Sequence, residues 1–333
     1  MKIAVLGAGA WGLAIADVVA KKDFDVSVWE FDKKICDELN KKRSVEDKLP
    51  GYIIPKKVII TNDIVRTVEE SQIIINAVPT QFIRSYFDRI RDIDFTEKII
   101  VNVSKGIEVS TGKDIRQMFI TEFKTITDEN FVILAGPSFA KEVAVDSTPT
   151  AMVSASKNLE AADLIRDVFS SPYFRVYSND DVIGVEIGGS IKNIMAISAG
   201  MIDGLGLGNN TKAALLTRGL AEMVRFGMAE GAKRETFSGL SGIGDLILTC
   251  NSSLSRNWQV GNRLAKGETL EHILSTMNMV AEGVETTRIV YKLANDKNIE
   301  MPIVNSVFKI LFEGLEPKKG LSELMTRENK KED

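Results

Sequence analysis

Lys192 lies in Glu186-Ile187-Gly188-Gly189-Ser190-Ile191-Lys192-Asn193, at the start of an otherwise apolar helical run over residues 194–201. An ammonium there must either snorkel to water or face a polar cavity, and a partly desolvated lysine can exchange a proton near neutral pH. A second cluster is Gly239-Leu240-Ser241-Gly242-Ile243-Gly244-Asp245-Leu246-Ile247-Leu248-Thr249-Cys250. If a helix starts near Gly244, Asp245 and Thr249 stand four apart on one face and could hold a lysine ammonium between them. Asp245 is equally suited to capping that helix. Cys250 reads as a small buried hydrophobe, since no histidine stands ready to activate it. The third cluster, Ser252-Ser253-Leu254-Ser255-Arg256-Asn257, gathers hydroxyls, a guanidinium and an amide. Such a set suits a phosphate or carboxylate, or is simply a solvated loop.

Near the N-terminus an apolar run, Lys2-Ile3-Ala4-Val5-Leu6, breaks into Gly7-Ala8-Gly9-Ala10-Trp11-Gly12, and a helical stretch follows. This is the dinucleotide pattern G-x-G-x-x-G in its proper context: Gly7 for the tight turn, Gly9 for backbone access to a pyrophosphate, Gly12 for close packing of helix on strand. The second strand ends in Val28-Trp29-Glu30, followed by Phe31. An acidic residue at that distance accepts hydrogen bonds from a ribose diol and repels a 2′-phosphate, which favours NAD over NADP. Lys33 and Lys34 keep NADP use open.

The elements that must carry these groups follow an alternating rhythm. Strands are expected at Lys2–Leu6, Asp25–Trp29 and residues 58–60, 73–77, 99–103 and 132–135, with 151–154 and 174–177 flanking a helix and extending the sheet. That rhythm predicts a doubly wound, mainly parallel Rossmann-type α/β domain over residues 1–180. From residue 181 to 326 the texture becomes Ala-, Leu-, Met-, Glu- and Lys-rich with apolar residues at helical spacing, predicting an all-α substrate and catalytic domain. Residues 327–333 are charged and lack an apolar face, and are expected to form a disordered tail.

Composition narrows the function classes. The 333 residues carry a net charge of −4 with basic and acidic side chains interspersed, which offers no nucleic-acid footprint. Two cysteines, Cys36 and Cys250, and a strand beginning at residue 2 point to a cytoplasmic protein without a signal peptide. The most apolar region, 191–207, is broken by Lys192, Asn193, Asp203 and glycines, so no bilayer-spanning segment and no membrane insertion is expected. The single histidine, His272, has no Cys or His at metal spacing, reads as a surface helix residue, and leaves no metal site. A nicotinamide site, a proton donor and an anion clamp together indicate carbonyl reduction on a small phosphorylated or carboxylated substrate.

At this point the chain resembles a known family. Gly136-Pro137-Ser138-Phe139-Ala140-Lys141-Glu142-Val143-Ala144, the segment from Glu186 to Asn193, Gly206-Leu207-Gly208-Asn209-Asn210-Thr211-Lys212-Ala213-Ala214, and Gly239 through Asn257 look like signatures of NAD(P)-dependent glycerol-3-phosphate dehydrogenase, in that family's order. The resemblance implies that Lys192 is the general acid/base, that Asp245 and Thr249 stand beside it, and that Arg256 and Asn257, with Ser255, hold the substrate phosphate. It further implies that Lys105 touches substrate and cofactor, that Gly136 and Ser138 contact substrate, and that Ala10, Trp11, Ala140, Arg256, Val280 and Glu282 line the nucleotide. Where many bacterial members carry a basic residue after the second strand, this chain has Glu30-Phe31. The implied reaction interconverts dihydroxyacetone phosphate and sn-glycerol 3-phosphate for phospholipid synthesis. Two other readings are compatible with the residues: a 3-hydroxyacid or 6-phosphogluconate-type dehydrogenase, and a non-catalytic dinucleotide-binding redox sensor. The helical half permits a homodimer without requiring one.

Overall fold

The computed structural model describes residues 1–145, 147–277, 279–328 and 331. Eight strands form one sheet: β1 (Lys2–Leu6), β2 (Asp25–Trp29), β3 (Ile59–Thr61), β4 (Ile73–Asn76), β5 (Ile99–Asn102), β6 (Phe131–Ala135), β7 (Thr150–Ala155) and β8 (Phe174–Asn179). Their spatial order is β3-β2-β1-β4-β5-β6-β7-β8, and all neighbours run parallel except β6 and β7. Helices interleave with them: α1 (Ala10–Ala20), α2 (Lys33–Lys42), α3 (Ile64–Glu69), α4 (Arg84–Phe87), α5 (Ile115–Glu122), α6 (Ala140–Ala144) and α7 (Leu159–Phe169). The doubly wound α/β class expected from the rhythm is the one found, with each strand within two residues of its expected ends.

Alternation along the strands gives the sheet two apolar faces. Ile3 and Val5 of β1 join Ile73, Ile75 and Leu13 on one side, whereas Ala4 and Leu6 join Ile74, Tyr86 and Phe119 on the other. The crossovers change direction between β1 and β4, and the crevice outside the carboxyl ends of strands at such a switch is where α/β sheets bind ligands.

The chain then turns helical: α8 (Val182–Gly204), α9 (Gly208–Ala229), α10 (Asp245–Cys250), α11 (Arg256–Ala265), α12 (Leu270–Ser275), α13 (Glu282–Asp296), α14 (Pro302–Phe312) and α15 (Pro317–Met325). Two expectations need correction here. The helix carrying Lys192 does not begin near it; α8 starts at Val182, where the Asp181 side chain accepts from the Gly184 N–H at 3.0 Å, so Lys192 sits mid-helix. Gly188, Gly200 and Gly204 are places where other backbone crosses closely: a Cβ on Gly200 would lie 2.0 Å from the Trp258 carbonyl oxygen of α11. Second, α8 is by length and mean hydropathy long enough to cross a bilayer, contrary to the sequence reading. Its most apolar 18-residue window is nevertheless 89% buried within the protein, as the axis of the helical half.

His272 is an exposed residue of α12, and Cys36 and Cys250 are buried free thiols. Of the expected tail, Arg327 is described and pairs with Glu300, while residues 329, 330, 332 and 333 lie outside the described residues.

Candidate active site

The centre of the site is built from three separate stretches of chain. Lys192, 5% exposed, points from the middle of α8 toward α10, where its Nζ donates to Asp245 Oδ1 at 2.6 Å and to Thr249 Oγ1 at 2.5 Å. The four-residue spacing of Asp245 and Thr249 does put both on one face, and the Thr249 hydroxyl donates to the same Asp245 oxygen at 3.2 Å. The helix they share begins at Asp245, after a π-helical turn over Leu240–Gly244, so Asp245 makes no side-chain cap and is free to bind cations. Its other oxygen, Oδ2, accepts from Lys105 Nζ at 2.6 Å. The same ammonium donates to the Gly136 carbonyl at 3.3 Å.

Lys105 reaches this point because the loop after β5 is braced. Asn76 and Asn102 end adjacent strands in register, and the Asn76 amide donates to Asn102 Oδ1 at 2.9 Å. The Asn102 side chain then donates to the Ser104 carbonyl and accepts from the Ser104 N–H. The lysine stem lies against Gly189 of α8, 3.5 Å from where a Cβ would stand. One residue on, the Gly106 N–H donates to Ser190 Oγ at 3.0 Å, and Ser190 donates in turn to the Glu186 carbonyl.

Charge follows from this packing. Burial lowers Lys192 from the ordinary lysine value to about 8; Asp245 opposes that fall and the nearby Lys105 charge adds to it. Burial works to raise Asp245, but the Lys105 and Lys192 ammonium groups outweigh it and hold the carboxyl below its usual range. Cys250 is pushed up to about 12 by burial and stays a protonated, packed thiol.

A second group borders the first. Glu282, at the start of α13, accepts from the Thr80 N–H at 3.0 Å, and its Oε2 lies 3.1 Å from where a Cβ on Gly106 would stand. That Oε2 is buried without a hydrogen-bond partner among the described residues. Burial raises Glu282 to about 7, against the Thr80 N–H and the Arg256 charge. Arg256 keeps solvent contact at the first position of α11, yet protein crowds it enough for desolvation to lower its pKa, with Glu282 opposing. Lys192, Asp245, Thr249, Lys105, Gly136, Arg256 and Glu282 thus form one connected neighbourhood, and Ser138 joins it through its hydroxyl bond to the Gly136 carbonyl at 3.1 Å.

Other expected contacts carry structural duties. The Ser255 oxygen accepts from the Trp258 N–H at 3.2 Å as the cap of α11. Asn257 Oδ1 accepts from the Gly283 N–H at 2.9 Å, fastening α11 to α13. Val280 is partly exposed in the segment before α13. Thr80, Ser190 and Asn102 were missed by sequence reasoning; for Thr80 and Asn102 the available signal was a polar residue at or just past the carboxyl end of a strand beside the crossover reversal.

At the other side of the crevice the glycine turn has the form that an anion needs. Gly7 has a φ of +108°, and a Cβ on Gly12 would lie 2.0 Å from the Gly7 carbonyl oxygen, so strand and helix touch there. Gly9 is different, since a Cβ would meet nothing within 4 Å. α1 starts without a side-chain cap or an acidic residue in its first turn, which leaves its leading N–H groups available. Ala10, Trp11 and Ala140 pack, half-buried, against one apolar face of the sheet. Glu30 accepts from the Asp32 N–H through Oε1, and Phe31 is 58% exposed beside it. These residues fit a dinucleotide: open space over Gly9, unpaired N–H groups at a helix start, and a carboxylate at the end of β2.

Comparison with known proteins decides between the rival enzyme classes. Residues 2–162 match the family described as NAD-dependent glycerol-3-phosphate dehydrogenase N-terminus, and residues 181–322 match its C-terminus. The chain belongs to the NAD-dependent glycerol-3-phosphate dehydrogenase family. It is an oxidoreductase using NAD(P). A glycerol-3-phosphate dehydrogenase [NAD(P)+] of Chlorobium phaeobacteroides is 46% identical over 332 residues, covering 100% of this chain and 99% of that one. That of Bacillus pumilus is 45% identical over 326 residues, covering 98% and 94%. The crystal structure of a glycerol-3-phosphate dehydrogenase from Coxiella burnetii superposes with a TM-score of 0.93 at 36% identity, over 98% of this chain and 99% of that one. Likeness to D-mandelate dehydrogenase, with a TM-score of 0.63 at 11% identity over 94% and 98%, is one of fold alone.

Proposed function

We propose that this dehydrogenase of the glycerol-3-phosphate family reduces dihydroxyacetone phosphate at C2 and, in reverse, oxidises sn-glycerol 3-phosphate, with Lys192 as general acid and base. The observation that carries the reading is the Lys192–Asp245–Lys105 triad at the carboxyl end of the sheet, with Lys192 and Asp245 buried and Lys105 partly exposed. An ammonium has three hydrogens. Lys192 commits two, to Asp245 and Thr249, and the third is free for a substrate oxygen. Lys105 likewise commits two, to Asp245 and Gly136, and has one left. The bound reduced nicotinamide supplies the hydride. As the carbonyl oxygen gains charge, Lys192 stabilises it and delivers a proton, while Asp245 keeps the lysine fixed throughout.

Arg256 holds the phosphate by a charge-assisted fork, and Ser255 and Asn257, whose oxygens accept within the protein, add their hydroxyl and amide hydrogens as donors. Gly136 and Ser138 contribute to substrate placement beside Lys105. Gly7, Gly9, Ala10, Trp11 and Gly12 receive the pyrophosphate side of the cofactor, Ala140, Val280 and Glu282 line its path, and Glu30 binds the ribose diol, giving a preference for NAD over NADP. A cytoplasmic setting agrees with two buried free thiols, and the product serves phospholipid synthesis; the helical half permits a homodimer without requiring one. The deciding assay follows NADH oxidation with dihydroxyacetone phosphate and with unphosphorylated dihydroxyacetone. Turnover confined to the phosphorylated ketone supports the reading, and equal rates overturn it. Faster rates with NADPH than NADH would reject the role given to Glu30.

A further inference from the structure

Away from the crevice, the helical half encloses a cavity of about 640 Å³ between α8, α9, α14 and α15. Met201, Ile202, Leu215, Ile303, Val307 and Leu321 supply apolar wall. Arg218, Glu222, Arg225, Glu300 and Arg327 also line it, and their charges do not cancel. Glu222, 3% exposed, is spent on the start of α14, where its oxygens accept from the Ile303 N–H at 2.6 Å and the Val304 N–H at 3.2 Å. Burial pushes its carboxyl up to about 7, so at neutral pH it brings only a partial charge. Glu300 is paired with Arg327. Arg225 donates to a neutral group, the Glu300 carbonyl, and Arg218 has no hydrogen bond or ion pair among the described residues. Arg218 therefore stands beside an apolar hollow with no acidic partner among the described residues, and the only side-chain charge set against Arg225 there is that of the backbone-committed Glu222.

A hollow of this size and lining, with a few polar groups at one side, has the make-up of a small-molecule site. We propose that it binds a single-chain amphiphile with an anionic head, an alkyl carboxylate or alkyl phosphate whose chain lies between the helices and whose head meets Arg218 and Arg225. Guanidinium groups recognise both heads by paired N–H bonds, and the walls recognise only the chain. The site shares no lining residue with the Lys192 neighbourhood, although Met201 and Ile202 belong to the same helix. Occupancy should stabilise the fold by mass action.

The test uses the full chain and compares decanoate, decyl phosphate, decanol and inorganic phosphate, each below micelle-forming concentrations, by calorimetric titration and thermal melting. One of the two anionic chains should bind saturably with one site per chain and raise Tm, decanol should bind at least ~10-fold more weakly, and inorganic phosphate should not raise Tm. The stronger of the two anions identifies the head. Arg218→Gln should weaken the anion at least ~10-fold while leaving decanol binding and NADH-dependent turnover unchanged. Leu321→Trp, which fills the hollow, should abolish binding of both chains. The proposal is overturned if decanol binds as well as the anions, if neither anion binds, or if binding survives Leu321→Trp. Sedimentation gives another refutation: a native dimer that Leu321→Trp dissociates would mean that a second copy occupies this face.

Discussion

Lys192 combines two properties with opposite effects on its proton, burial and a carboxylate at 2.6 Å. The first makes its proton easy to release, and the second keeps it from being lost too early. Removing the side chain should lower kcat by on the order of 10² or more, since both proton delivery and oxyanion stabilisation go with it; near-normal turnover of Lys192→Ala would dismiss the role. With a value of about 8 in the free enzyme, kcat/KM for ketone reduction, which needs the charged form, should fall as pH rises through that point. Alcohol oxidation needs the neutral form and should rise over the same interval. Because Asp245 holds Lys192 up, Asp245→Asn should move both midpoints to lower pH, and an unmoved midpoint would assign the titration to another group. Arg256 belongs to a different category of effect. It would grip the phosphate in ground and transition states alike, so Arg256→Ala should raise KM for the phosphorylated substrate, and initial-rate kinetics showing an unchanged KM would remove it from the phosphate site.

The elements that aim these groups are held by bonds the sequence did not advertise. Ser190 accepts from the buried Gly106 N–H and so joins α8 to the loop that carries Lys105. Ser190→Ala leaves that N–H unpaired, at a cost of about 1–3 kcal/mol readable in urea denaturation; an unaltered urea midpoint would show the bond contributes nothing. What could be read from the sequence was periodic or local: the glycine turn before α1, the strand rhythm, and the shared face of Asp245 and Thr249. The start of α8 at Val182 could not, because the glycine-containing segment before Lys192 weakens the helix signal. Nor could the helix cap and the inter-helix bond that Ser255 and Asn257 make through their oxygens, which leave their hydroxyl and amide hydrogens as donors. The Lys105–Asp245 pair joins residues 140 apart in sequence, and no short-range pattern marks it.

In the molecule as a whole, the proposed site is divided between a sheet that presents Lys105, Gly136 and the glycine turn and a helical half that presents Lys192, Asp245 and Arg256. Asp245 is the carboxylate both halves share, so a single residue sets the charge balance across the join. The helical half is organised around α8, against which α11 packs so tightly that a Cβ on Gly261 would stand 1.8 Å from the Ile197 carbonyl oxygen. That arrangement has a cost during synthesis. When the growing chain has reached Gly204 but not yet Ala265, it carries a greasy rod of bilayer-spanning length whose covering helix has not been made. A nascent chain stalled in that interval offers the rod to insertion machinery, lipid and neighbouring chains alike. Truncation at residue 206 should therefore sediment with vesicles or aggregate, whereas truncation at 326 should remain dispersed.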